Sequence, residues 1–223
     1  MDWSALSLSL KLAGLTVLIL LPLGIWAGHG LAAHQFRGKA WVEAMLALPL
    51  VLPPTVLGYY LLVAMGGASP VGQFYESVFG QPLVFSFEGL LLASVIFNIP
   101  FAIQPMQRGF DAIAPEVRDA AACCGLSRWR TLWRIELPLA WPGVLSAVVL
   151  TFAHTLGEFG VVLMVGGSIP GETKTVAIAI YDRVQAFDTA GAGVMSAALL
   201  LISLVAIGAA YFTHARSRIR RYG

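Results

Sequence analysis

The chain has 223 residues, of which 58% are hydrophobic and 12% charged, with a mean hydropathy of +0.78. Soluble domains carry about 25% charged residues, so this composition excludes a disordered tail, a nucleic-acid binder built on a basic surface and most cytosolic enzymes. The net charge of +2 decides little; where the charges fall decides more.

Long apolar blocks set the frame, since a helix needs about 20 such residues to cross the hydrocarbon core. Leu6 to Ala27 is the first, broken only by Lys11, which lies near one end and can snorkel. It is long and lacks a basic leader in Met1–Asp2–Trp3, so it reads as a span and not a cleaved signal. Trp41 to Met65 is the second, with Glu43 near one end and Pro49, Pro53 and Pro54 inside. Each proline removes a backbone donor and crowds the preceding turn. This span is therefore either a kinked helix packed on its neighbours or a broken one lining a translocation path. Val84 to Met106 is the third, with Glu88 near its start. Trp141 to Val165 is the fourth and carries His154 and Glu158. A carboxylate within a span marks either a structural hydrogen bond or a transport pathway. Val194 to Phe212 is the fifth and cleanest. The expectation is an all-α integral membrane protein of five transmembrane helices forming one domain over 1–223, with lipid as its main surroundings.

Lys and Arg orient it. Arg37 and Lys39 follow the first span, Arg108, Arg118, Arg128, Arg130 and Arg134 follow the third, and Arg216, Arg218, Arg220 and Arg221 follow the fifth. The loop 66–83 has none, and the loop 166–193 has Lys174 and Arg183 alone. The positive-inside rule places the N-terminus outside and the C-terminus in the cytoplasm, as an odd number of spans requires. At the outer mouth, Lys174 and Arg183 are placed to raise the local concentration of an anion.

No catalytic or metal-binding constellation is visible. His29, His34, His154 and His214 are scattered without metal-ligand spacing. Cys123 and Cys124 are adjacent, so they read as small packing residues and not a disulfide framework. The run from Gly166 to Thr175 approaches a phosphate-binding loop but has Glu172 where Lys is needed, so it reads as an ordered extracytoplasmic turn.

The segment from Gln107 to Pro138 carries the most information. Loops of about this length are usually functional. Pro115 can open a short helix and Gly125 can close it. Ser127 can cap a second, from Arg128 to Glu136, with Trp129, Leu132 and Trp133 on one face. A DNA-binding helix-turn-helix would share some of these residues, but a two-helix insert tethered between spans has no third helix with which to build a core.

Asp119-Ala120-Ala121, then Gly125, then Ile135-x-Leu137-Pro138 resembles the cytoplasmic signature of ABC-importer permeases. That pattern is Glu-Ala-Ala, three residues, Gly, nine residues, Ile-x-Leu-Pro; Asp119 is the one departure, one methylene shorter than Glu. The likeness implies a two-helix coupling segment, about 107–138, between the third and fourth spans, docked on a separate ATPase subunit. A narrower likeness, to molybdate-transporter permeases, lies in Leu48 to Leu62, in Leu156-Gly157-Glu158-Phe159-Gly160 and in Ile169 to Thr175. Sulfate and thiosulfate permeases share the Gly-Glu-aromatic-Gly element.

These resemblances imply a multi-pass permease of the bacterial inner membrane that imports molybdate, or tungstate of nearly equal size and charge, by alternating access. Five helices are few to enclose an aqueous path, so a homodimer is expected, with its path on the two-fold axis. The implied partners are two ABC ATPase subunits, holding ATP and Mg, and a periplasmic binding protein. No cofactor is expected on this chain, no enzymatic activity and no nucleic acid. Path or gate residues would be Pro53, Pro54, Thr55, His154 and Glu158. The alternative of the same mechanism is a sulfate or thiosulfate importer. A secondary transporter lacks the expected inverted repeat, and a membrane-embedded enzyme lacks a paired nucleophile and base.

Overall fold

A computed structural model describes the backbone of residues 1–222 and the side chains of residues 1–208. The described elements are all helical. Helix α1 spans Trp3–Ala33, α2 Lys39–Val51, α3 Pro54–Met65, α4 Pro70–Phe79, α5 Phe87–Asp111 and α6 Pro115–Cys123. After α7 (Arg128–Thr131) and a π-helical turn (Leu132–Glu136) come α8 (Leu137–Gly157), α9 (Gly160–Gly166), α10 (Val176–Gln185) and α11 (Thr189–Tyr222). The cationic tail singled out in the sequence, Arg216 to Arg221, lies outside the described side chains.

Four helices are long and apolar enough to cross a membrane: α1, α5, the continuous run Arg128–Gly157 and α11. Over 41–65, where a kinked or a broken helix is expected, the structure has the broken form. It is the pair α2 and α3, bent by 108° at a short break. The cause is local. A residue before proline is pushed out of the helical region, and here two such steps follow each other. Leu52 has φ −71° and ψ 136°, and Pro53 has φ −54° and ψ 136°. Pro54 then starts α3 at the helix position where a missing N–H costs nothing. Pro49, inside α2, is accommodated without a break.

The fourth span differs from the expectation. It ends at Gly157, and residues up to 166 form the separate α9. Glu158 is thus not within a helix but in the extended link, with φ −71° and ψ 131°. A second correction concerns the 107–138 segment. Pro115 opens α6, Gly125 (φ +74°) closes it, and the Ser127 hydroxyl caps α7, all as the sequence indicates. The second helix is not a separate unit, however: through the π-helical turn it runs straight into α8.

Helix α5 is the central strut, packed between α1 and α8. Its approach to α8 is close because glycine faces glycine. A Cβ on Gly143 would lie 2.5 Å from the Pro105 carbonyl oxygen and 3.0 Å from the Gly109 Cα. Small residues at such crossings let helix backbones touch, which is the main source of helix association where lipid is the solvent. One core cluster gathers Leu12, Leu90, Phe97, Val162 and Ile178 from α1, α5, α9 and α10. Another gathers Phe110, Ile113 and Ala140 near the 107–138 segment. Lys11 is exposed, its ammonium 4.2 Å from the centre of the Phe87 ring.

Candidate functional site

The two helix interruptions meet. Gly160, at the start of α9, packs onto Pro54, at the start of α3, so closely that a Cβ on Gly160 would sit 2.8 Å from the Pro54 Cβ. Beside this contact lies a cleft of about 130 Å³ lined by Pro49, Pro54, Phe97, Phe101, His154 and Glu158. Pro53, Pro54 and Thr55 are exposed on the break. Backbone freed from helical bonding at membrane depth is tolerated where protein or water covers it, so the cleft stands where a path is physically permitted.

Glu158 is buried, and each oxygen has a distinct neighbour. Oε1 accepts the Val161 N–H at 3.0 Å, satisfying one of the free donors at the start of α9. Oε2 faces His154 Nε2 at 3.9 Å. The His154 ring stacks on Phe101, with centroids 4.0 Å apart, and its Nδ1 lies 3.1 Å from Asn98 Oδ1. Asn98 is fully buried, and its amide nitrogen donates to Ser94 O and to Thr155 Oγ1, both at 2.9 Å. With that nitrogen engaged, the oxygen faces the imidazole, so His154 Nδ1 carries the proton. The network continues through a hydrogen bond between the Ser94 and Thr16 hydroxyls at 2.7 Å. Sequence reasoning singled out His154 and Glu158 but missed Asn98, because one amide on an apolar helix has no signature until its partners are known.

A second cleft, of about 430 Å³, lies between α2 and α5 and is lined by Glu43, Leu46, Gln104, Gln107, Arg108 and Asp111. Gln107 donates to Glu43 at 2.7 Å. On α5, Phe97, Phe101, Gln104 and Arg108 share one helical face. The two clefts therefore follow one side of α5 from His154 toward the 107–138 segment. Among the described residues, no carboxylate lies within ion-pair distance of Arg108. Hydrogen-bond donors and an unpaired guanidinium suit an oxyanion. No group of three or more His, Cys, Asp or Glu able to hold a metal occurs among the described residues.

In the 107–138 segment, Asp119, Ala120 and Gly125 are exposed, as are Trp129 and Trp133, whose rings meet edge to face. Ala121 is buried, Ile135 and Leu137 are half-buried, and Pro138 is exposed at the start of α8. At the other end of the bundle, Lys174 pairs with Asp182 at 2.6 Å and Arg183 with Asp188 at 2.5 Å. The two cations expected to steer anions are thus each matched by a carboxylate, which weakens their pull.

Residues 21–221 match the family described as binding-protein-dependent transport system inner membrane component. The chain belongs to this family. It is a membrane component of such a system, multi-pass and in the inner membrane. Within the family it is 44% identical to the molybdenum transport system permease protein ModB of Azotobacter vinelandii, over 94% of this chain and 93% of that one. The ModB protein of Escherichia coli K12 is 39% identical over 91% of this chain and 87% of its own. The sulfate transport system permease protein CysW of Synechocystis is 32% identical over 91% of this chain and 74% of its own. A solved bacterial ABC transporter involved in import of the acidic polysaccharide alginate shares the fold, with a TM-score of 0.72 at 18% identity. That superposition covers 96% of this chain and 78% of the other.

Proposed function

We propose that this chain is the permease subunit of an ATP-driven importer of molybdate, with tungstate as a close analogue. Two copies form the path on their two-fold axis. The N-terminus lies outside and the 107–138 segment in the cytoplasm, where it docks on two ATPase subunits that hold ATP and Mg. A periplasmic molybdate-binding protein delivers the anion to the opposite face. The observation that carries the reading is the identity of 39–44% to molybdenum transport permeases across at least nine-tenths of the chain. A sulfate or thiosulfate importer is the second reading, ranked behind the first by the lower identity of 32% to the Synechocystis sulfate permease.

Mechanistically, a dianion cannot enter hydrocarbon without its water being replaced. The groove beside α5 offers replacement donors in Gln104 and Arg108, with His154, its proton held by Asn98, as part of the wall. The Pro53–Pro54 break and the Glu158–Phe159 break, locked together by Pro54 and Gly160, form the gate. Closure of the ATPases displaces the segment at Asp119, Ala120, Ala121 and Gly125, and the Ile135–Leu137–Pro138 stretch passes the motion into α8. Lys174 and Arg183, reduced by their carboxylate partners, contribute at most a secondary attraction at the outer mouth.

Deleting the gene and measuring cellular molybdenum at limiting molybdate, with and without excess sulfate, tests this. A sharp fall in both conditions, restored with the gene, is the expected result. Unchanged molybdenum with poor growth on sulfate would transfer the assignment to the second reading. The docking role has its own test: reversing the charge at exposed Asp119 should prevent co-purification of the ATPase. Ala121 is buried and so a poor site for that experiment.

A further inference from the structure

Among the described residues, Glu136 and Glu158 are the two buried acids, and Glu136 is the more enclosed, at 3% exposure. It sits at the end of the π-helical turn that joins α7 to α8. Its Oε1 accepts from Arg118 Nε of α6 at 2.5 Å, and its Oε2 lies 2.9 Å from His29 Nε2 of α1. Arg118 also donates through Nη2 to the carbonyl oxygen of Phe110, near the end of α5, at 3.1 Å. The His29 ring meets the fully buried Phe110 ring edge to face, with centroids 5.2 Å apart. One carboxylate therefore holds α1, α6 and the start of α8 together, over a floor supplied by α5.

Such a knot is mechanically specific. A buried carboxylate that loses one partner keeps its desolvation penalty, so it either carries its partners along or is strongly destabilised. Among the described residues, the His29–Glu136 contact is the side-chain hydrogen bond that ties α1 to the 107–138 segment, while Thr16–Ser94 ties it to α5. The knot also borders a cleft of about 450 Å³, lined in part by His34, Arg128 and Thr131. The π-helical turn sets the direction of the Glu136 side chain, and such turns recur at functional positions.

We propose that Glu136 is a positioning residue that yokes α1 to the 107–138 segment, so that displacement of the segment moves α1 together with α8 through the Glu136–His29 contact. This rests on reading the segment as the ATPase-docking element. Without the yoke, nucleotide-driven motion would reach α8 through the continuous helix but would leave α1 behind. Transport would then lag hydrolysis.

The test uses the permease assembled with its ATPase in proteoliposomes, fed by its binding protein, on a background in which Cys123 and Cys124 are serine. Molybdate taken up per ATP hydrolysed is measured for the parent, Glu136→Gln, Glu136→Asp and His29→Gln. In parallel, spin labels at Ala33→Cys on α1 and Arg134→Cys in the π-helical turn report their separation with and without trapped nucleotide. The parent should keep that separation constant between states. E136Q should lose about tenfold in uptake per ATP, within the range of ordinary couplings between sites, while hydrolysis persists and the separation becomes nucleotide-dependent. E136D should recover most of the ratio. If E136Q does not assemble, H29Q, which leaves the Arg118 contact intact, should show the same two changes more weakly. Parental ratios in the variants, or a parental separation that changes between states, would overturn the proposal. A parent that takes up no molybdate with ATP would instead overturn the reading on which it rests.

Discussion

Pro54 and Gly160 touch where two helices are each interrupted, the first by consecutive prolines and the second by an extended Glu158. Neither break is a free kink. Each supplies the space that the other needs, and a side chain on Gly160 would strike the Pro54 ring.

Gly160→Ala should therefore be costly despite its small size. Overpacking of this kind costs about 1–3 kcal/mol, and Gly160→Leu should cost more. The check is thermal unfolding in detergent together with uptake. The expected result is a lowered Tm and slower uptake in both variants, in that order of severity.

Gly143→Ala offers a sharper contrast. The added methyl would lie 2.5 Å from the Pro105 carbonyl oxygen, a backbone atom that cannot rotate away. Gly14→Ala, also in a membrane-spanning helix, would meet nothing within 4 Å. The first should lower Tm and the second leave it unchanged or raise it slightly, since alanine favours the helix over glycine.

The two roles open to Glu158 can be separated by two substitutions. Glu158→Gln keeps an oxygen to accept the Val161 N–H and removes the charge facing His154. Glu158→Ala leaves that buried donor unpaired, at about 1–3 kcal/mol. The alanine variant should unfold at lower temperature than the glutamine variant. A change in uptake with Glu158→Gln at unaltered Tm would locate the charge on the anion's route.

Arg108 provides the test of the groove. Arg108→Gln should slow uptake without lowering Tm, because no described carboxylate pairs with it, and the parent should lose more of its rate than the variant as salt is raised. Equal salt sensitivity in parent and variant would remove Arg108 from the route.

Asp188 makes a pH-dependent contribution outside the membrane. The Gly191 N–H, first, and the Arg183 guanidinium, second, hold its carboxyl below the ordinary value of 3.8. A carboxyl depressed on folding contributes its stability fully above the ordinary value and loses it as pH falls through the lowered one. Thermal unfolding between pH 2 and pH 6 should therefore show the parent converging on Asp188→Asn at the acid end and exceeding it above about pH 4.

The spans were legible in the sequence because apolar length is a property of the chain alone. So were Gly125 as a helix stop and the Ser127 cap, each set by neighbours in sequence. The prolines at 53 and 54 announced a distortion but neither the 108° between its arms nor the packing of α9 against α3. Glu158 looked like a carboxylate inside a helix because the apolar run continues past it. Its extended backbone reflects a local exchange, a side-chain cap in place of helical bonds. His29 and Glu136 are 107 residues apart, and nothing near either one points to the other. The same holds for Asn98 and Thr155, 57 residues apart.

The π-helical turn at Leu132–Glu136 has a consequence for how this chain can be altered. A π turn holds one residue more than the α turn it replaces. Deleting a single residue there would let the run from Arg128 to Gly157 close as an unbroken α-helix. Both turns make one full rotation, so the residues before the deletion would keep nearly their angular phase while the widened turn itself disappeared. The Trp129 side would keep its direction, and the change would fall on the turn itself, where Glu136 takes its aim. The extra residue is thus absorbed within one turn, so this stretch can gain or lose it and keep its two ends in phase, whereas one codon lost from the α-helical stretches on either side would swing one end by about 100°.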